Sequence, residues 1–143
     1  MKTKFFSFVF LVLNACVPLH AQDLGFSCQF NKGTVGDLKN GVMKHADTKK
    51  GDLPPLSFTL NTSTKQAAVI GNLGKSKVEM VSGKNIITFV EVTPAGNFVS
   101  TSVYFPDNQK DNTTFHATHT RNISFHDGGM VSSYFGSCKM FDL

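Results

Sequence analysis

Apolar and polar residues alternate in short segments along most of the chain beyond residue 55. These segments are rich in Phe, Val, Ile and Thr, and each is bounded by Gly, Pro, Asn or Asp. Alternation of this kind is typical of β-strands that bury one face and expose the other. With one earlier segment, the pattern predicts eight strands, at residues 26–30, 56–60, 66–70, 76–81, 85–93, 97–105, 113–120 and 130–138.

Short connections with turn-forming residues join neighbouring segments. Gly, Pro or Asn occur in residues 71–74, 82–84 and 93–97, where tight turns favour them. Because no long helical pattern lies between the strands, we expect antiparallel hairpins and no parallel crossovers. The sequence therefore predicts an all-β fold, an antiparallel meander of about eight strands that closes into a small barrel or forms a flattened sandwich.

Three longer segments are interpreted as loops, at residues 31–55, 106–112 and 121–129. The first contains several Gly and Pro residues between charged residues, with one possible helical turn at residues 37–45. Rigid β-scaffolds commonly carry recognition residues on such connections. We therefore expect these three segments to contact a partner.

The N-terminus has the order of an export signal. Lys2 and Lys4 precede an apolar run at residues 5–13, and Pro18 and Ala21 follow it. The run is too short to span a bilayer, and a small residue such as Ala21 suits cleavage by a signal peptidase. We therefore expect a periplasmic or secreted protein.

Residues 13–16 of this segment permit an alternative location. Their order, Leu-Asn-Ala-Cys, resembles a bacterial lipobox, in which Cys16 would be lipidated and would anchor the protein to a membrane. Cleavage after Ala21 leaves a length typical of one domain. We therefore predict a cleaved signal peptide at residues 1–21 and a single β-domain at residues 22–143.

Charge and composition argue against nucleic acid as a partner. Loss of Lys2 and Lys4 reduces 14 basic residues to 12 against 10 acidic residues, so the net charge falls from +4 to +2. The chain has one arginine, Arg121, and no Trp, whereas nucleic-acid-binding proteins need clustered Arg and Lys. The expected partner is another protein or a small apolar ligand, and a membrane only if Cys16 is lipidated.

Two cysteines remain after the signal segment, one near each end of the mature chain. Cys28 and Cys138 form an even pair in a chain addressed to an oxidising compartment. We therefore predict a disulfide bond between them. Because Cys28 lies in the first predicted strand and Cys138 in the last, this bond brings the ends of the meander together and favours a closed barrel.

Three histidines and one aspartate are the candidates for a metal site: His116, His119, His126 and Asp127. Alternation along a strand places His116 and His119 on opposite faces, so they cannot chelate one ion together. We therefore interpret these residues as ordinary polar positions of a strand and a loop. No cofactor or metal ion is expected.

No catalytic motif is present in the sequence. Glu79 and Glu91, the only glutamates, lie in separate predicted strands and are interpreted as exposed. The serines lie in none of the motifs that supply a nucleophile with a positioned base. We therefore expect a protein that is not an enzyme, with no catalytic residues.

Aromatic residues dominate the predicted core. They include those of residues 85–105, Phe115 and Phe135, and a small barrel either fills its interior with such side chains or leaves a cavity. An export signal followed by one small β-barrel, with an early and a late cysteine, is similar to the layout of bacterial periplasmic lysozyme inhibitors and of small lipocalin-like binders. The resemblance covers residues 26–138 and carries over no functional residue.

These observations predict an exported, non-enzymatic binding protein. Its three long loops favour recognition of a macromolecule. Two alternatives remain, a lipocalin-like carrier of a small apolar ligand inside the barrel and a periplasmic inhibitor of an enzyme.

Overall fold

Nine antiparallel strands make up most of this computed structural model, which describes residues 23–49, 51–72, 74–107 and 113–143. The predicted signal peptide at residues 1–21, with Cys16, lies outside the described residues. Among the residues that the structure describes, no helix has the length and hydropathy needed to cross a membrane. The strands are β1 (Asp23–Lys39), β2 (Val42–Asp47), β3 (Leu56–Asn61), β4 (Ala67–Gly71), β5 (Gly74–Gly83), β6 (Ile86–Val92), β7 (Phe98–Tyr104), β8 (Thr114–Phe125) and β9 (Gly128–Asp142).

Eight of these strands form a closed barrel. The strands β1 and β3 to β9 are hydrogen-bonded in that order, and β9 pairs with β1 to complete the ring. Cys28 and Cys138 lie directly opposite each other in the β1–β9 pairing and form a disulfide bond. The predicted all-β fold and the predicted disulfide are confirmed, and the barrel is the form that the meander takes.

The segment at residues 31–55 is mostly strand, so its interpretation as a loop is wrong. β1 continues to Lys39, and β2 pairs with it in a hairpin, where the sequence analysis expected a helical turn at residues 37–45. The connecting residues are Asn40 and Gly41, with φ angles of 50° and 76°. An Asn-Gly pair adopts positive φ readily, and this geometry suits the natural twist of a two-residue hairpin.

The interpretation of residues 121–129 as a loop is also wrong. β8 continues to Phe125 and β9 begins at Gly128, so only His126 and Asp127 connect the two strands. Part of the predicted loop at residues 106–112, namely residues 108–112, lies outside the described residues.

The two long hairpins extend the sheet beyond the barrel. We call this extension the tongue; it consists of residues 34–39 of β1, β2, residues 123–125 of β8 and residues 128–133 of β9. A β-bulge between Phe30 and Lys32 lies where β1 leaves the barrel. The extra residue reverses the alternation, so that Phe26, Cys28 and Phe30 face inward before the bulge and residues 33 and 35 face inward after it.

One end of the barrel is filled by apolar side chains, and we call it the packed end. Its centre is the aromatic group Phe26, Phe105 and Phe115, beside the Cys28–Cys138 disulfide. The Phe26 and Phe105 rings are 6.4 Å apart in an edge-on arrangement, and the Phe105 and Phe115 rings are 4.6 Å apart. These contacts are of the kind that stabilise aromatic cores.

The aromatic core was predicted only in part. Phe89 and Phe115 are buried and Phe105 packs against the core, but Phe135 is 54% exposed. Because Cys138 faces inward, alternation places Tyr134 inside the barrel and Phe135 outside. The same rule leaves two aromatic residues of β7 on the outer face, Phe98 and Tyr104.

Candidate functional site

The opposite end of the barrel, which we call the open end, contains a cavity of about 340 Å³. Phe58 and Phe89 stack at its base with ring centroids 4.4 Å apart, and Phe89 also contacts Phe26 of the packed end at 5.8 Å. The stacked pair therefore separates the filled half of the barrel from the hollow half. Further apolar residues line the cavity wall: Leu53, Pro54, Leu56, Val69, Val78 and Val99.

Small side chains keep this half of the barrel hollow. Gly71, Gly74 and Ser76 line the cavity where β4 meets β5. An eight-stranded barrel has an interior just wide enough for its side chains to fill. Where these side chains are small, space for a ligand remains.

Two residues of opposite charge face the cavity from neighbouring parts of the sheet. Glu91 of β6 pairs with Val99 of β7, which in turn pairs with Arg121 of β8, and all three line the cavity. Directly paired residues share a face, so the two charged residues lie at the same level of the sheet and two strands apart. Among the described residues, neither one forms a salt bridge.

A buried histidine lies next to this charged pair. His119 Nδ1 and Thr101 Oγ1 share a hydrogen bond of 2.8 Å, and both residues line the cavity. The imidazole also packs against two aromatic rings. Its centroid is 5.5 Å from the ring centroid of Phe30 and 6.0 Å from that of Tyr134. Burial, together with the positive charge of Arg121, lowers the pKa of His119 from 6.5 to about 4. His119 is therefore uncharged at neutral pH.

The four candidates for a metal site do not meet in the structure. His119 faces the interior, whereas His116 is exposed on the outer face of β8, opposite Tyr104. His126 and Asp127 are exposed in the β8–β9 turn. Within the part of the chain that the structure describes, no group of three or more His, Cys, Asp or Glu residues could hold a metal ion.

The two glutamates have different environments. Glu79 is exposed on the outer face of β5, where its carboxylate is 3.7 Å from the Lys77 ammonium. Glu91 faces the cavity, so its interpretation as an exposed residue is wrong. The two carboxylates lie on opposite faces of the sheet and do not form an acid pair.

Arg121, Glu91 and Thr101 were not predicted as site residues. The alternation of side chains along a strand could have identified two of them. Glu91 is two residues from the inward Phe89, and Arg121 is two residues from the inward His119, so both share the inner face. A charged residue on the same face of a strand as buried residues indicates either a buried ion pair or a cavity that the charged side chain lines.

Comparisons with protein-family models, curated proteins and solved structures found no match to this chain. The fold and the site define a small closed antiparallel barrel with a ligand-sized cavity at one end. Its wall is mainly apolar, with a cation, an anion and a hydrogen-bonded imidazole facing inward.

Proposed function

We propose that the protein is an exported, non-enzymatic binding protein that holds a small ligand in the cavity at the open end. The observation that carries the proposal is the cavity itself, about 340 Å³ in volume, with a mainly apolar lining that also contains six polar or charged residues. Cavities of this size and composition are typical of small-molecule sites. The Cys28–Cys138 disulfide is compatible with a periplasmic or extracellular location.

Recognition of a macromolecule is the second candidate, and the tongue supports it. Leu38, Met43 and Val131 share its outer face and are all exposed. The support from loops is weaker than the sequence suggested, because residues 31–39, 42–47 and 121–125 are strands. A periplasmic enzyme inhibitor would belong to this second candidate.

A neutral fluorescent probe tests the first candidate. N-phenyl-1-naphthylamine fluoresces when it leaves water for an apolar site, so titration of the purified protein should give a saturable signal at one probe per chain. Val99→Phe places a larger side chain in the cavity and should weaken probe binding at least tenfold. Val99 is half-buried in the cavity wall, so a thermal melt should accompany each titration.

Val131→Phe is the matched control. It makes the same chemical change on the outer face of the tongue, where Val131 is 49% exposed. Probe affinity should then equal that of the unmodified protein. Equal affinity for the Val99→Phe and Val131→Phe variants, with both folded, would contradict binding in the cavity and leave the tongue as the better candidate site.

A further inference from the structure

We propose that the ligand is a small zwitterion with an apolar side group, whose anionic group binds Arg121 and whose cationic group binds Glu91. This inference rests on the proposed function and names the class of ligand. A free apolar amino acid is the simplest molecule with these three features.

The first step is the placement of the two charges. Glu91 and Arg121 are separated by one strand, so their backbones lie about 10 Å apart, from an inter-strand spacing of about 4.8 Å. Both side chains line the cavity. One molecule inside the cavity can therefore contact both.

The second step is the lack of a protein partner for either charge. Neither Glu91 nor Arg121 forms a salt bridge with another described residue. A ligand that displaces water from the cavity removes hydration from both groups, and an unpaired charge in such a site is costly. A ligand with one charge compensates one group and leaves the other unpaired, whereas a zwitterion compensates both.

The third step is the total charge of the cavity. His119 also lines it, but the imidazole is uncharged at neutral pH. Glu91 and Arg121 are therefore the charged groups among the described lining residues, and their charges sum to zero. A neutral dipolar ligand matches this site better than an anion or a cation does.

The fourth step assigns each part of the ligand. The Arg121 guanidinium presents a planar set of donors that suits a carboxylate. The Glu91 carboxylate accepts hydrogen bonds from an ammonium group. The stacked rings of Phe58 and Phe89, at the base of the cavity, suit an aromatic or aliphatic side group.

Isothermal titration calorimetry with three related compounds tests this proposal. L-phenylalanine carries both charges, 3-phenylpropanoate lacks the ammonium, and phenethylammonium lacks the carboxylate. Phenylalanine should bind the unmodified protein at least tenfold more tightly than either analogue at neutral pH. Tighter or equal binding of 3-phenylpropanoate would overturn the proposal in favour of an anionic amphiphile.

Two variants separate the roles of the charges. Glu91→Gln should remove the preference for phenylalanine over 3-phenylpropanoate, and Arg121→Gln should remove the preference over phenethylammonium. Glu79→Gln is the matched control, because Glu79 is exposed on the outer face of the adjacent strand. Its three affinities should match those of the unmodified protein, and an equal effect of Glu79→Gln and Glu91→Gln would also overturn the proposal.

The neutral probe keeps this test separate from that of the proposed function. In one outcome, N-phenyl-1-naphthylamine binds saturably and Val99→Phe weakens this binding, but phenylalanine binds no more tightly than its two analogues. This outcome would contradict the zwitterionic ligand and would still support the cavity as a binding site. If the unmodified protein shows no saturable binding of the probe, the proposed function itself is contradicted.

Discussion

The packed end and the open end of the barrel are built from the same strands, but they differ in the residues that face inward. Along β8, the inward residues change from Phe115 and Ala117 at the packed end to His119 and Arg121 at the open end. Along β6, they change from Ile87 to Phe89 and then to Glu91. Alternation thus decides which face is inside, whereas the size and polarity of successive inward residues decide where the barrel is filled.

Because of this difference, we expect the two ends to contribute differently to the stability of the fold. The packed end contains the disulfide and the aromatic group, which supply stability. The open end contains Glu91 and Arg121, which form no salt bridge with another described residue, and they add little to stability. Perturbation of each end should therefore affect different measurements.

Removal of the disulfide should have the largest effect on stability. The bond joins residues 110 positions apart, and the chain-entropy estimate for such a loop is about 5 kcal/mol. Chemical denaturation of the Cys28→Ala, Cys138→Ala double variant should show a loss that approaches this value. Neither cysteine lines the cavity, so binding of the neutral probe should persist in the folded variant. A loss below about 1 kcal/mol would contradict the prediction, because it would mean that the bond removes little entropy from the unfolded chain.

Truncation of one apolar residue at each end should sharpen the comparison. Phe26 is fully buried among aromatic rings, so Phe26→Ala should lower the free energy of unfolding by about 4 kcal/mol. Val99→Ala removes two methyl groups from a half-buried residue that already borders a cavity. Its cost should be about 1 kcal/mol, from about 0.8 kcal/mol per buried CH2. Similar losses in urea titrations of the two variants would show that the open end is as tightly packed as the other.

Acid should destabilise the protein through the open end. The pKa of His119 is about 4 in the folded protein and 6.5 in the unfolded chain. Between these values only the unfolded chain binds the proton, so stability falls as pH falls from 6.5 to 4, by about 3 kcal/mol in total. The groups that surround the imidazole are Thr101, Tyr134 and Phe30, with Arg121 and Glu91 in the same cavity.

The measurement is the free energy of unfolding at several pH values for the unmodified protein and for His119→Gln. The difference between the two should grow in favour of the unmodified protein as pH rises from 4 to 6.5. His116→Gln, at an exposed position of the same strand, should follow the unmodified protein throughout. A difference that does not change with pH would mean that His119 is protonated equally in both states.

The fold could be predicted because strand alternation and turn residues are local signals. All eight predicted strands occur, and the positions of the two cysteines correctly indicated a closed barrel. The tongue was not predicted because the Gly and Pro residues between charged residues of the segment 31–55 are typical of a loop. The bulge at Phe30 also hid the strand pattern, since it reverses the phase of alternation within β1. Asn40-Gly41 is the signal that could have identified the hairpin.

The candidate site was harder to predict than the fold. A cavity depends on the combined size of side chains from several strands, which are separated in the sequence by many residues. Glu91 and Arg121 face the same space only because β7 lies between their strands and sets the register. Local patterns can place each residue inside, but they cannot show that the two remain unpaired.

Both ends of the described chain lie at the packed end. The Leu143 amide donates a hydrogen bond to the Asp23 carbonyl oxygen, with a donor–acceptor distance of 2.9 Å. Asp23 and Leu143 therefore lie at the end of the barrel away from the cavity. A surface tether attached after Leu143 would therefore be joined to the end away from the cavity, so we expect the immobilised protein to remain accessible to the neutral probe.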